Sequence, residues 1–159
     1  MSVTRTRVPI GHNGAMADRA SETITIAAPL DRVWAIASDI ERYPDWAHDV
    51  TSVSVRDRDA DGRPVEVEFR ASALGRSTHY VLAYDYSSAP DRLAWTMVSG
   101  DIQRSIDGAY VLTRIDDAHT EVRYELAIEL AVPLPGFVKR RAERRILNAV
   151  RELKIVAEA

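Results

Sequence analysis

The fold is decided by residues 22–46, which read ETITIAAPLDRVWAIASDIERYPDW. Ile24 and Ile26 alternate with polar residues, which is typical of a strand buried on one face. Pro29 ends this strand, and the apolar residues after it return every three or four positions, the period of a helix. A second short helical segment begins at Asp39 and ends near the next proline. The stretch therefore predicts one strand followed by two short helices.

Beyond this stretch, apolar residues alternate with polar ones through most of residues 51–130, and this period of two predicts strands. Short segments rich in aspartate, glycine or proline interrupt the alternation and predict turns. Strands joined by such short turns pair antiparallel. We therefore expect six further strands, which together with the first form a seven-stranded antiparallel sheet.

The last predicted element is a long C-terminal helix. After the helix-breaking residues 133–136, apolar residues recur every three or four positions from Val138 to Val156 and form one stripe. One amphipathic helix is enough to cover one face of a sheet. The order of elements thus indicates an α+β domain in which the sheet wraps around this helix.

Length and composition restrict the classes of function. A chain of 159 residues suits one domain, and the lack of cysteine excludes disulfides, thiolate zinc sites and cysteine nucleophiles. The net charge of −3 gives no general attraction to nucleic acid. No apolar run approaches the roughly 20 residues that a membrane helix needs. We expect a cytoplasmic protein that neither binds nucleic acid nor inserts stably into membranes.

The N-terminal segment differs from the remainder of the chain. Residues 1–19 carry arginines without a following apolar stretch, so they do not resemble a secretory signal. We expect these residues to form a flexible tail. The folded domain is then expected to span residues 20–159.

Several short motifs carry a resemblance to a known superfamily. They are Ile24–Pro29 with the following Val33-Trp34, then Asp39–Trp46, Gly108–Tyr110 and the closing Pro133–Phe137. In these motifs and in the order of its elements, the chain resembles the START-like (SRPBCC) superfamily of polyketide cyclase-like and coenzyme Q-binding protein-like proteins. The resemblance covers residues 20–159. It implies the helix-grip fold, in which the C-terminal helix leaves a cavity above the sheet.

The implied cavity holds a small hydrophobic molecule such as a polyketide, a quinone or a lipid. Its walls in this chain would come from the inward strand faces and the helix stripe. Aromatic rings offer flat apolar surface to a ligand, and tyrosine hydroxyls offer hydrogen bonds that orient it. The alternative is that these side chains are simply packed core. The candidate ligand-binding residues are Trp46, Phe69, Tyr80, Tyr84, Trp95, Met97, Tyr110, Tyr124, Phe137, Ala142, Ile146 and Val150.

Three functions are compatible with the resemblance. The first is a non-enzymatic binder or carrier of the hydrophobic molecule. The second is a polyketide aromatase, cyclase or dehydratase, in which tyrosine hydroxyls would polarise carbonyl groups. The third is a sacrificial antibiotic-resistance protein that is cleaved at a glycine, to which Gly108 would correspond. Val50 stands where aromatic cyclases tend to carry a tyrosine and cannot orient a carbonyl, so the sequence leaves catalysis open.

No motif indicates a metal or a cofactor. The four histidines and the nearby carboxylates have no spacing that forms a metal site. A P-loop, a dinucleotide fingerprint and a nucleophile elbow are also missing from the sequence. We therefore expect a protein that uses neither a metal nor a cofactor.

A basic run, Lys139–Arg145, lies at the start of the predicted C-terminal helix. It would attract an anionic ligand, an acyl carrier protein or a membrane surface, or it is a solvated helix face balanced by acids elsewhere. Arg141 and Arg145 lie closest to the apolar stripe. Either residue would be placed to guard the mouth of a cavity.

Overall fold

The computed structural model describes the backbone of residues 2–10, 15–73, 75–131 and 135–159. Among these residues, eight strands form one antiparallel sheet. The strands are β1 (Ser2–Ile10), β2 (Ala15–Ile26), β3 (Val50–Arg58), β4 (Pro64–Ala73), β5 (Arg76–Asp85), β6 (Arg92–Gly100), β7 (Gln103–Asp116) and β8 (His119–Leu130). The helices are α1 (Leu30–Ala37), a 3-10 turn (Ile40–Arg42), α2 (Tyr43–Trp46) and α3 (Gly136–Glu158).

The strand order across the sheet is β1-β2-β8-β7-β6-β5-β4-β3. Strands β3 to β8 follow one another through short turns, as the alternation predicts. Strand β2 closes the arrangement by pairing with β8, with Asp18–Ile26 opposite Thr120–Ile128. The predicted α+β helix-grip fold is therefore confirmed, with two short helices after the first predicted strand and one long C-terminal helix.

The structure differs from the predicted flexible tail over residues 2–10 and 15–19. Ser2–Ile10 forms strand β1 and pairs antiparallel with Ala15–Thr23. Strand β2 consequently begins before residue 20, and β1 adds an eighth strand to the seven predicted. The pairing occupies backbone groups of β2 that would otherwise form an open sheet edge. The extent of the folded domain, residues 20–159, stays a prediction.

Helix α3 packs on the inner face of the sheet through a narrow apolar stripe. Leu147, Val150, Leu153 and Ala157 are buried, and they follow one another at intervals of three or four residues. Across from them, every second residue of β2 from Ala20 to Ile26 is buried as well. This stripe is narrower than the concave face beneath it, which leaves space beside the helix.

None of the helices in the described part of the chain combines the length and the hydropathy that a membrane span requires.

Candidate functional site

A cavity of about 250 Å³ lies between the concave face of the sheet and α3. Helix α2 and the inward faces of β4 to β8 form most of its wall. The wall is predominantly apolar, as in sites for small organic molecules. Seven of the predicted candidates lie in it: Trp46, Phe69, Tyr80, Tyr84, Trp95, Tyr110 and Tyr124.

Five aromatic side chains form a row across this wall, one from each of five neighbouring strands. The ring centroids are 6.4 Å apart for Phe69–Tyr84, 5.9 Å for Tyr84–Trp95, 5.4 Å for Trp95–Tyr110 and 5.0 Å for Tyr110–Tyr124. All four distances fall in the range of favourable aromatic pairs, about 4.5–7 Å. The row arises because side chains alternate along each strand and the antiparallel register places the inward ones side by side.

The middle of the row depends on a glycine. Trp95 of β6 is the direct partner of Gly108 in β7. A β-carbon at Gly108 would lie 2.5 Å from the indole ring of Trp95, so this ring fits only above a glycine. Trp95 therefore covers Gly108, the candidate cleavage glycine, on the side that faces the helix.

Four tyrosine hydroxyls of the cavity wall have no partner in the part of the chain that the structure describes. Those of Tyr80, Tyr84, Tyr110 and Tyr124 make no hydrogen bond within the described residues, and none is sealed inside the protein. Burial raises the pKa of Tyr80 to about 12 and raises the pKa values of the other three well above 10.0. The four phenols stay protonated at neutral pH and can donate hydrogen bonds to oxygen atoms of a ligand.

The other two tyrosines behave differently. Tyr43 donates its hydroxyl hydrogen to the carbonyl oxygen of Ala37, and Tyr86 donates to that of Pro64 at 2.7 Å. Both hydroxyls are therefore already hydrogen-bonded to backbone groups of the fold. Tyr80, Tyr84, Tyr110 and Tyr124 are therefore the tyrosines whose hydroxyls are available to a ligand.

An ion pair closes one rim of the cavity. Arg145 of α3 donates through Nη2 to Oδ1 of Asp49 at 2.6 Å and through Nε to Oδ2 at 3.3 Å. This two-bond geometry is specific to arginine and a carboxylate. Asp49 lies in the loop between α2 and β3, so the pair joins the helix to that loop.

A polar cluster lies at the same open end, around the turn between β6 and β7. Thr78 donates its hydroxyl to Asp101 and accepts a hydrogen bond from Nε2 of Gln103 at 3.0 Å. The backbone amide of His79 also donates to Asp101, at 2.9 Å. The Thr78 hydroxyl, ahead of the other donors, lowers the pKa of Asp101 to about 2. Thr78 and Gln103 both line the cavity, so they add polar groups to a wall that is mostly apolar.

Helix α3 presents a second stripe to the cavity, next to the one that packs on the sheet. Arg145, Ala149 and Glu152 line the cavity and are separated by four and three residues, so they share one face. Glu152 also contacts His48, whose backbone amide donates to Oε2 of the glutamate at 3.1 Å. Through its described side chains, the helix therefore contributes one small residue and two charged ones to the wall.

A family model for polyketide cyclase / dehydrase and lipid transport proteins matches residues 17–158. The chain belongs to this family. A putative polyketide cyclase from Streptomyces cyaneus is 41% identical over 46 residues, which are 29% of this chain and only 30% of that relative. The match to the family confirms the resemblance found in the motifs of the sequence.

Two solved structures show the same fold. The START superfamily protein from Mycobacterium smegmatis has a TM-score of 0.81 and 23% identity, over 88% of this chain and 97% of that one. The Zhui aromatase/cyclase from Streptomyces sp. R1128 has a TM-score of 0.76 and 16% identity, over 88% of this chain and 93% of that one. At these identities the likeness concerns the fold alone.

Two of the predicted ligand-binding residues lie outside the described wall. Val150 is fully buried in the stripe that packs on the sheet, and Met97 is partly buried against the core outside the wall. The side chains of Phe137, Ala142 and Ile146 lie outside the described part of the structure. The binding role of all twelve candidates stays a prediction.

Sequence reasoning missed most of the polar wall. Arg145 lies at the rim, as its place beside the apolar stripe suggested. Asp49, Thr78, Gln103 and Glu152 carry no periodic or motif signal, and only the assembled fold brings them together. Helical spacing from Arg145 would have pointed to Glu152, seven residues later.

Proposed function

We propose that this protein binds a small hydrophobic molecule in the cavity between the sheet and α3. The observation that carries the proposal is an unfilled space of about 250 Å³ walled by a row of aromatic rings. Protein interiors are close-packed, because every void forfeits dispersion contacts along its lining. Binding a ligand would restore these contacts, and it would remove apolar ligand surface from water at roughly 25 cal/mol per Å² before the costs of association.

The size and lining of the cavity favour a compact ring system among polyketides, quinones and lipids. Sites for drug-sized ligands measure about 300–1,000 Å³, so this cavity suits a smaller molecule. A long lipid chain or a long prenyl tail would exceed it. Flat rings would stack against the aromatic row, and carbonyl or ether oxygens would accept hydrogen bonds from the tyrosine hydroxyls.

Native mass spectrometry of freshly purified protein tests this proposal. The protein is measured before and after incubation with extracts of lipids and aromatic metabolites, and any retained ligand is then released and identified. We expect a ligand of defined mass that leaves the protein chemically unchanged. If no extract or purified aromatic compound ever yields a complex, the proposal is wrong.

A pair of variants separates cavity binding from surface binding. Ala149→Phe places a ring in the cavity, because Ala149 lines it. Asn148→Phe places the same ring on the neighbouring, exposed position of α3. Binding should be lost in the first variant and retained in the second. Equal binding by both variants would place the ligand elsewhere.

The second candidate function is a polyketide aromatase, cyclase or dehydratase. The family description and the four unpartnered phenols support it. Neutral hydroxyls aimed at one bound molecule would polarise its carbonyl groups, while the cavity would hold the chain in a reactive conformation. The proposed enzyme would release a product that differs from the molecule it bound, which a simple carrier would not do.

Conversion of a polyketide substrate, followed by chromatography and mass spectrometry, tests the catalytic proposal. Tyr80→Phe and Tyr84→Phe should each slow the conversion, because each removes one hydroxyl from the cavity. Tyr86→Phe is the matched control, since its hydroxyl already donates to the backbone of Pro64. Unchanged rates in both cavity variants would exclude this role for the hydroxyls.

An acidic acyl carrier protein is a proposed partner for either function. Arg140, Arg141 and Arg144 are exposed on α3, and Arg145 at the cavity rim follows them directly. Such a surface would steer an acidic protein toward the cavity mouth, with an attraction that weakens as salt rises. Reversing the charges of Arg141 and Arg144 to glutamate should abolish binding to a purified acyl carrier protein. Binding that ignores both salt and these changes would contradict the partner.

A further inference from the structure

Glu152 is the one acidic residue that α3 contributes to the described cavity wall. Its side chain is only 15% exposed, and it lies in a wall that is otherwise mostly aromatic and aliphatic. A carboxylate in such surroundings loses hydration and is stable only where donors replace the water. The hydrogen bonds that Glu152 accepts therefore show which of its oxygen atoms still has room for a donor.

Among the described residues, only one of the two oxygens of Glu152 has a hydrogen-bond partner. The backbone amide of His48 donates to Oε2 at 3.1 Å, and Nδ1 of the same histidine contacts the same oxygen. Oε1 makes no hydrogen bond within the described residues, although it is not sealed in the interior. The nearby cation Arg145 uses its Nε and Nη2 to bind Asp49. One acceptor oxygen of Glu152 is thus left for a group inside the cavity.

The carboxylate of Glu152 lies across the cavity from Tyr110, a member of the aromatic row. The pKa of Tyr110 is raised by burial, next by Tyr43 and then by the charge of Glu152. Tyr110 lines the cavity from the sheet and Glu152 lines it from α3, so the two residues belong to opposite walls of the space that a ligand would fill. A bound ring system would therefore have tyrosine hydroxyls on one side and this carboxylate on the other.

A second glutamate of α3 shows what a purely structural residue looks like. Glu158 accepts a hydrogen bond from the backbone amide of Ala27 at 2.7 Å, much as Glu152 does from His48. Lys154 also donates to Glu158, at 2.8 Å, and Glu158 is not part of the cavity wall. Both glutamates tie the helix to a loop, but only Glu152 faces the cavity.

We propose that Glu152 is a specificity residue that selects ligands carrying a hydrogen-bond donor, such as a phenolic hydroxyl or an N–H group. The inference rests on the proposed binding function and deepens it. Oε1 accepts the ligand hydrogen while Oε2 holds His48. A ligand that offers only acceptors at this position leaves a buried carboxylate oxygen unpaired and is discriminated against.

Three naphthalene probes test the proposal by isothermal titration calorimetry. 2-Naphthol carries a donor, 2-methylnaphthalene has nearly the same shape without one, and 2-acetylnaphthalene carries only an acceptor. The wild-type protein should bind 2-naphthol about tenfold more tightly than 2-methylnaphthalene, because hydrogen bonds to charged groups are the stronger ones. The ratio of the two dissociation constants is the readout, since the shared ring contacts cancel in it.

Glu152→Gln keeps the shape of the side chain and its bond to His48 while turning an amide NH₂ toward the cavity. In this variant the ratio should fall to near one, and 2-acetylnaphthalene should gain affinity. Glu158→Gln is the matched control on the same helix, and its ratio should equal that of the wild type. Glu152→Asp, which retracts the carboxylate by one methylene, should lower the ratio as well and serves if the amide variant does not fold.

The outcomes are distinguishable. An unchanged ratio in Glu152→Gln, or equal affinity of the wild type for 2-naphthol and 2-methylnaphthalene, overturns the role of Glu152 while leaving the binding function intact. Failure of the wild type to bind any of the three probes counts against the binding function itself.

Discussion

The two halves of α3 show where packing ends and the site begins. In the C-terminal half, Leu153 and Ala157 are buried against the sheet. In the preceding part, Arg145 and Ala149 stand over open space. One continuous helix therefore closes the core at one end and roofs a cavity at the other. In that preceding part the two faces of the helix differ, because Leu147 and Val150 are buried while Arg145 and Ala149 line the cavity.

Polar contacts reinforce the closed end. Three side chains there form hydrogen bonds with backbone groups across the contact between α3 and the segments that pack on it. These bonds join Lys154 to the carbonyl of Thr25, Glu158 to the amide of Ala27, and Arg32 to the carbonyl of Ala157. At the open end, Arg145 forms an ion pair with Asp49 of the rim loop, and Glu152 accepts a hydrogen bond from the backbone amide of His48. We expect the closed end to carry stability and the open end to carry binding.

Leu153→Ala should give the largest effect on the free energy of unfolding. Leu153 is fully buried in the closed half, and truncation of such a leucine costs about 2–5 kcal/mol through lost burial and the cavity left behind. Chemical denaturation measures the loss. If the variant is as stable as the wild type, the closed half is not the anchor of the helix.

Gly108→Ala should have the next largest effect, on the floor of the cavity. The new β-carbon would lie 2.5 Å from the ring of Trp95, and relief of that overlap costs about 1–3 kcal/mol. The displaced indole should also change the tryptophan fluorescence and weaken binding of the naphthalene probes. A variant with wild-type stability and unaltered emission would show that the ring adapts without strain.

Arg145→Ala tests the open end directly. Its bond to Asp49 is more than half exposed on the arginine side, so its loss should cost no more than about 1 kcal/mol. Probe exchange, followed by stopped-flow fluorescence, should become faster because the rim is no longer closed. If Arg145→Ala lost as much stability as Leu153→Ala, the open end would contribute to stability as much as the closed end, contrary to our expectation.

The smallest effect concerns Asp101 at the same end. Its pKa of about 2 in the folded protein is below its ordinary value of 3.8, mainly because the Thr78 hydroxyl donates to the carboxylate. A lowered folded pKa stabilises the protein above about pH 4, and this contribution is lost as the pH falls through 2. The stability difference between wild type and Asp101→Asn should therefore narrow from pH 6 to pH 2.5. A gap that widens with acid would give the opposite sign and contradict the assignment.

Sequence periodicity predicted an apolar stripe along α3, and its described members Ala149–Val156 pack on the core, but periodicity did not show which helix residues line the cavity. Val150 was expected in the wall and lies instead in the core, while Glu152 two residues later lines the wall. Spacing shows which side chains share a face. It does not show which face of the helix lies over the cavity, because that depends on sheet residues more than a hundred positions distant.

The eighth strand shows a second limit of local patterns. Ser2–Ile10 has no apolar alternation that would mark a half-buried strand, yet it pairs with β2. Backbone hydrogen bonding to an open edge makes few demands on side chains. Such a strand is decided by the partner available to it rather than by its own sequence.

Taken alone, the sequence determined the elements other than β1, the antiparallel pairing of the strands and the aromatic residues that alternate toward the helix. Local periods of two and 3.6 suffice for this, because each is a property of neighbouring residues. Only the tertiary structure decided that a cavity remains, that Trp95 rests on Gly108 and that Glu152 faces the tyrosine row. These features depend on the distance between the sheet and the helix. Residues that are remote from one another in the chain determine this distance together.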